Sequence, residues 1–308
     1  MSETGLPTTD GRRLIAAARR RDLLFAGIGL AVLFVATAVL LALVLDLVIT
    51  GAPHIDLDFL TSYPSRRASR AGILPAWVGT GLVMLVTAAL AIPFGIAAGL
   101  YLEEYAPRNR VTDVIEINIT NLAGVPSIIY GLLALGVFVY GFRLGETILV
   151  AGMVLALLVL PVIVVATREA LRSIPREVRE AAFALGADKW QTVSMYLLPA
   201  ARPGILTGII VALARAIGET APLVTIGALT FIAFLPPPPI TAQPPFVSFE
   251  WLGSPFTVLP IQMFNWISRP QAAFHELAAA AGVVLLVMTL AMNGLAIYIR
   301  YRARRLLG

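Results

Sequence analysis

From Ala71 to Leu102 no side chain carries a charge, and the same holds from Leu23 to Leu45. A hydrocarbon core about 30 Å thick is crossed by about 20 residues of helix, so either run is long enough. Lipid offers no hydrogen bonds, and every backbone N–H and C=O within it must be satisfied by the protein itself, which restricts such runs to helices. The expectation is therefore an all-α integral membrane protein. Composition agrees, since 58% of the 308 residues are hydrophobic and only 13% are charged, a balance outside that of water-soluble domains. A cleaved secretory signal competes for the first run, but Leu23 to Leu45 is longer than a signal's apolar core and reads as an anchor.

Six spans follow along the chain: Leu23 to Leu45, Trp77 to Tyr101, Ile117 to Phe142, Thr147 to Thr167, Pro203 to about Phe234, and Leu277 to Ile299. They form one membrane domain over 23–299, with an N-terminal tail at 1–22 and a C-terminal tail at 300–308. The third span is interrupted by Gly124-Val125-Pro126-Ser127, and broken backbone at membrane depth requires protein or a water-filled cavity around it. Pro161 is expected to kink the fourth. The segment 235–276 holds Pro236 to Pro239, Pro244, Pro245, Pro255 and Pro260, and reads as a partly re-entrant outside loop. Most Lys and Arg outside the spans lie in the N-tail, the 103–113 loop, the 172–202 segment with Arg168, and the C-tail. Arg66, Arg67, Arg70, Arg143 and Arg269 lie on the other side. The bias of basic residues toward the cytoplasm then places both termini and the 172–202 loop there. It also accounts for the net charge of +5 without a nucleic-acid partner.

Between the fourth and fifth spans, Glu180 to Pro199 is a charged, amphipathic island, EAAFALGADKWQTVSMYLLP. Pro175 suits a helix's first turn, where its missing N–H is an orphan donor anyway. That helix is expected to reach about Leu185. Gly186 supplies a backbone tolerant of positive φ, Asp188 with Gln191 reads as a capping box starting a second helix, and Pro199 closes it. Two short helices bent at a glycine make a knob suited to another protein's groove. The chain has no phosphate-binding loop of its own, because its only lysine, Lys189, follows Asp188 rather than glycine. Cysteine is absent, and His54 and His275 are far apart, so no metal site or disulfide is expected, and no cofactor. No set of nucleophile, base and oxyanion donor can be assembled, so the chain is read as a non-enzyme.

Intramembrane charge marks the candidate path. Arg215 and Glu219 stand four residues apart in the fifth span, so on a helix they share a face and can pair, either as functional charges or as a structural ion pair. Arg215 offers a planar fork of donors suited to the oxygens of an anion. Ser127, with Gly124 and Pro126, reads equally as an unwound part of the path and as a packing kink. Asn118, Thr120 and Asn121 read as interhelical hydrogen-bonders. Arg66, Arg67 and Arg70 read as a solvated basic loop, and His275 as a polar anchor at the interface with membrane lipid.

Glu180-Ala181-Ala182, Gly186, and Leu198-Pro199 resemble the EAA loop of ABC-importer permeases, which enters the ATP-binding subunit as a coupling helix. Tyr196 departs from that pattern, which usually has an aliphatic residue two positions before Leu-Pro. The stretches GILPAWVGT (72–80), AGVPSIIYGLLALGVF (123–138), ARAIGETAPL (214–223) and LPIQMFNWISRPQAAFHELAAAA (259–281) are similar to PstA-type permeases of phosphate-specific ABC importers. The resemblance implies a type I ABC-importer permease fold, a coupling role for Glu180, Ala181, Ala182, Gly186, Leu198 and Pro199, and Arg215, Glu219, Thr220 and Ser127 as path residues. Its implied partners are a sister permease in a heterodimer, two copies of an ATP-binding subunit and an extracytoplasmic phosphate-binding protein. The implied place is the cytoplasmic (inner) membrane of a bacterium or archaeon. The alternatives are a permease for sulfate, molybdate or tungstate, a secondary transporter in which Glu219 relays protons, and a phosphate-sensing membrane subunit.

Overall fold

A computed structural model describes residues 9–240 and 246–305, with side chains undescribed at 9–17, 20 and 303–305. Pro244 and Pro245 of the expected outside loop, the first eight residues of the N-tail and the last three of the C-tail lie outside the described residues. Among those described, five helices are long and apolar enough to cross a membrane, and six spans result if one sharply bent pair counts as one. The chain divides into two units, 1–50 and 51–308. The first is carried by α1 (Thr9–Gly51), a single helix through the uncharged run that opens the chain.

The second unit contains the short α2 (Leu57–Thr61) and is built on α3 (Leu74–Leu100), α6 (Ile148–Arg172), α9 (Leu198–Ile217) and α12 (Ala272–Arg305). α6 is central: it packs against both α3 and α9, and Val150, Val154, Leu155, Val159, Ile163 and Leu171 along it are buried. Small residues set the close approaches, as expected where lipid supplies no hydrophobic drive and packing must hold helices together. Gly95 and Gly99 of α3 lie against Ile163 and Thr167, Gly152 lies against Val86, and Gly204 and Gly208 of α9 lie against Ala170 and Ala166. The helix runs through Pro161 unbroken.

The third expected span is two helices. α4 (Arg110–Leu122) and α5 (Ser127–Ala134, continued as a π-helical segment to Gly141) meet at 105° across the Gly124-Pro126 break. α4 begins seven residues before the expected start at Ile117, because Asn109 caps it by accepting from the Thr112 N–H at 2.9 Å. Among the described contacts, Asn118 and Thr120 bond within their own helix rather than across helices. Asn118 donates to Val114 O at 2.7 Å and Thr120 to Glu116 O at 3.0 Å, both within α4, where a nearby backbone carbonyl is the first acceptor either side chain meets.

The fifth span also differs at both ends. α8 (Lys189–Gln191), a π-helical segment Thr192–Leu197 and α9 form one uninterrupted rod, Lys189–Ile217, so neither Pro199 closes a helix nor Pro203 begins one. The wider π turn just before Pro199 accommodates a residue that has no N–H to give and whose ring crowds the preceding turn. At the other end the helix stops at Ile217 rather than near Phe234. Gly218 caps it, and Pro222 opens the short α10 (Ala221–Thr225), where its ring bars continuation from α9. The described residues 226–240 and 246–258 then lie over the start of α6: Leu229 N donates to Phe256 O at 3.0 Å, Ile148 N to Ser254 O at 3.1 Å, and Trp251, Phe256 and Val258 are buried. α11 (Leu259–Ile267) returns against α12 through Trp266 and Phe274, whose rings are 6.3 Å apart.

Candidate functional site

Two helix breaks face each other. α5 packs on α10 so closely that a Cβ on Gly131 would overlap Thr225 Oγ1 and press on the Pro222 backbone. The Tyr130 hydroxyl, from the same turn, donates to Leu122 O at 2.8 Å, joining the Val125 N–H that donates to the same carbonyl at 3.2 Å, and so ties α5 back to the end of α4 across the first break. Arg215 lies within electrostatic reach of that phenol. The break in α4–α5 and the gap Gly218-Glu219-Thr220 between α9 and α10 therefore share one neighbourhood.

Arg215 stands in the last turn of α9, and Glu219 lies just beyond its end. The pair forms all the same: Arg215 Nε donates to Glu219 Oε1 at 3.2 Å. Glu219 is the more enclosed partner, with side-chain exposure of 17% against 40% for Arg215. Among the described contacts only Nε of Arg215 is engaged, which leaves its two terminal nitrogens for an anion. Thr220 caps α10, and its hydroxyl reaches Gly218 O at 3.5 Å. Ser127 opens α5 directly after Pro126, half-buried. A cavity of about 560 Å³ lies beside the gap, lined by Ile128, Gly218, Thr220, Ala221, Met263 and Phe264 among others. Of the four sequence candidates only Thr220 lines it; Ser127, Arg215 and Glu219 do not.

The stretches singled out by resemblance meet in pairs around these breaks. Thr80, ending the first, accepts from the Leu259 N–H that begins the fourth at 2.9 Å. Gly131 of the second lies against Pro222 of the third. In each case two segments distant in sequence touch through backbone or a short side chain.

The docking loop is formed by α7 (Arg176–Ala184) and α8. Pro175 is the residue just before α7 rather than in its first turn. Gly186 has φ +84°, the left-handed conformation that glycine adopts at no steric cost. Asp188 and Gln191 form the capping box, with Asp188 Oδ1 accepting from Gln191 N at 2.7 Å and Gln191 Oε1 from Asp188 N at 2.9 Å. Glu180 and Ala181 are exposed and Ala182 is buried. Around them Phe183, Leu185, Trp190 and Met195 expose apolar side chains, a composition that fits a protein groove. Leu198 and Pro199 are half-buried at the start of α9.

The sequence reading passed over what holds this loop in place. Glu103 and Glu104, at the π-helical end of α3, take up its arginines. Arg179 Nη2 meets Glu104 Oε1 at 2.7 Å while Nη2 and Nη1 also donate to Leu171 O and Ile174 O at 3.0 Å. Lys189 lies 4.9 Å from the Tyr105 ring centre. The adjacent Glu103-Glu104, placed directly after an uncharged span, was the available signal.

A multi-pass helical bundle with a rigidly capped docking knob and paired helix breaks defines a membrane permease of the type I ABC-importer fold. Solved structures with this fold include a bacterial ABC transporter involved in the import of the acidic polysaccharide alginate, at TM-score 0.62 and 15% identity over 94% of this chain and 99% of that one. Another is the MetNI methionine ABC transporter in inward-facing conformations, at TM-score 0.55 and 18% identity over 73% of this chain and 94% of that one. A family model described as "Binding-protein-dependent transport system inner membrane component" matches residues 91–305, and the chain belongs to that family. It is a multi-pass inner-membrane protein and, as a permease subunit, is not itself catalytic. Similar relatives include a probable ABC transporter permease protein YqgI of Bacillus subtilis, 33% identical over 84% of this chain and 87% of its own. The phosphate transport system permease protein PstA of Xylella fastidiosa is 32% identical over 80% and 81%. PstA 1 of Mycobacterium tuberculosis is 31% identical over 76% and 72%.

Proposed function

We propose that this chain is one of two membrane subunits of an ATP-driven importer of inorganic phosphate. The observation that carries the reading is the Arg215–Glu219 pair, which joins the last turn of α9 to the gap before α10 near the α4–α5 break, in a chain whose curated relatives include several phosphate permeases. Glu219 holds the guanidinium fork until phosphate or the conformational change releases it, and Ser127 and Thr220 offer hydroxyls at the two helix starts nearby. The EAA-type knob docks on an ATP-binding subunit, two copies of which serve this chain and a sister permease. An extracytoplasmic phosphate-binding protein delivers the solute. Both termini and the docking loop lie in the cytoplasm, on the side favoured by the basic residues.

The test is ATP-dependent uptake of labelled phosphate, sulfate and molybdate by the reconstituted complex. Uptake of phosphate in preference to the other two is expected. Preference for sulfate or molybdate would move the chain to the other oxyanion permeases.

A further inference from the structure

α4 is held only loosely by packing. None of its residues is buried. Among the described residues, the ion pair that ties it to another element joins Glu116 Oε1 to Nη2 of Arg168 on α6. Arg168 is only 6% exposed, and its Nε also meets Glu103 Oε2 at 3.4 Å. Glu103 is shared with Arg172 Nε at 2.8 Å, and the next residue, Glu104, holds Arg179 of the docking loop at 2.7 Å. One connected series of charges thus runs from α7, through the end of α3, to α6 and on to α4. Beyond α4 lies the 105° break that leads to Ser127.

The series is a poor place for an anionic solute. Glu103, Glu116 and Glu169 outnumber Arg168 and Arg172, so the cluster carries excess negative charge. It does have room to rearrange. A cavity of about 320 Å³ between α4 and α6 is lined by Glu116, Thr120, Asn121, Val165, Arg168 and Arg172 among others. Space beside an unburied helix lets that helix close or open without unpacking a core. A buried guanidinium cannot be left without a carboxylate, so motion of Glu103 must be answered at Glu116. One cation within reach of carboxylates on two elements can favour either of them, which supplies the bistable element that transmitting a conformational change requires.

We propose that Glu116 and Arg168 are positioning residues that make α4, and with it the α4–α5 break, follow the docking loop. The inference rests on the ATP-driven part of the function proposed above and is indifferent to which solute moves. Because the chain has no cysteine, Thr120→Cys with Val165→Cys introduces its only thiols, both lining the same cavity. In the full complex with its ATP-binding subunits, cross-linking of the two thiols by a short bifunctional reagent is compared without nucleotide and after trapping with ATP and vanadate. The yields are expected to differ about fivefold or more between the two states. Glu116→Gln should abolish that difference, and Glu116→Asp should restore part of it. Equal yields in both states with Glu116 in place overturn the proposal, as does a state dependence that survives Glu116→Gln. A merely structural pair would change both yields together. Since cross-linking is read without solute, a state dependence that persists in a complex found to import sulfate or molybdate in preference to phosphate would overturn the substrate assignment and leave this one standing.

Discussion

At Gly186 the backbone has φ +84° and open space where a Cβ would point, so a side chain there meets strain and no clash. For an ordinary residue that conformation costs about 1–2 kcal/mol. Gly186→Val is therefore expected to leave the spans inserted and to lower thermal stability only slightly, while ATP-driven uptake is lost or the complex fails to assemble. Gly186→Asn, which tolerates the left-handed region better, should retain most uptake. Full uptake by Gly186→Val would remove the loop from coupling. Arg215 calls for a different design, because its partner is both its counter-ion and its rival for the solute. Arg215→Gln should abolish uptake, Arg215→Lys should lose the fork while keeping the charge, and Glu219→Gln should slow or uncouple transport. Normal phosphate transport by the Arg215→Gln, Glu219→Gln double variant would identify a structural ion pair, since matched neutral replacements of such pairs are tolerated.

Among the elements, the contact of α5 with α10 is the most demanding. Gly131 faces the Pro222 backbone and Thr225 Oγ1, and anything larger than hydrogen forces the two helices apart. Gly131→Val is expected to destabilise the protein by about 1–3 kcal/mol, the usual range for overpacking, and to abolish uptake. Thermal unfolding in detergent and transport assays in vesicles would measure the two effects. An unaffected variant would mean that the two helices can separate freely. The break at Gly124-Pro126, the turn at Gly186 and the Asp188–Gln191 box were legible in the sequence because each is decided within four residues by backbone chemistry. Pro199 misled for the complementary reason: a proline stops an ordinary α-helix, and the preceding π turn that absorbs it leaves no mark in the sequence. The end of the fifth span misled because hydropathy continues past Ile217 to Phe234, while the stop is made by Gly218 and Pro222. The Glu103–Arg168 contact joins residues 65 positions apart, so composition gave the charges and only the fold gave their pairing.

For the whole molecule, the substrate is the property that local features decide least. Arsenate has nearly the shape and charge of phosphate, whereas sulfate carries no proton that a carboxylate acceptor could recognise. Labelled phosphate uptake is therefore expected to be inhibited far more by arsenate than by an equal concentration of sulfate. Equal inhibition would favour the wider oxyanion assignment. The unbroken rod from Lys189 to Ile217 adds a mechanical consequence. Its near end is the knob and its far end carries Arg215, so the site that meets the ATPase and the residue read as meeting the solute belong to one lever. At 1.5 Å per residue, the 29 residues measure about 43 Å. A tilt of about 5° pivoted at the knob then sweeps Arg215, about 39 Å along the rod, through about 3.4 Å, a distance comparable to the 3.2 Å hydrogen bond that holds it to Glu219.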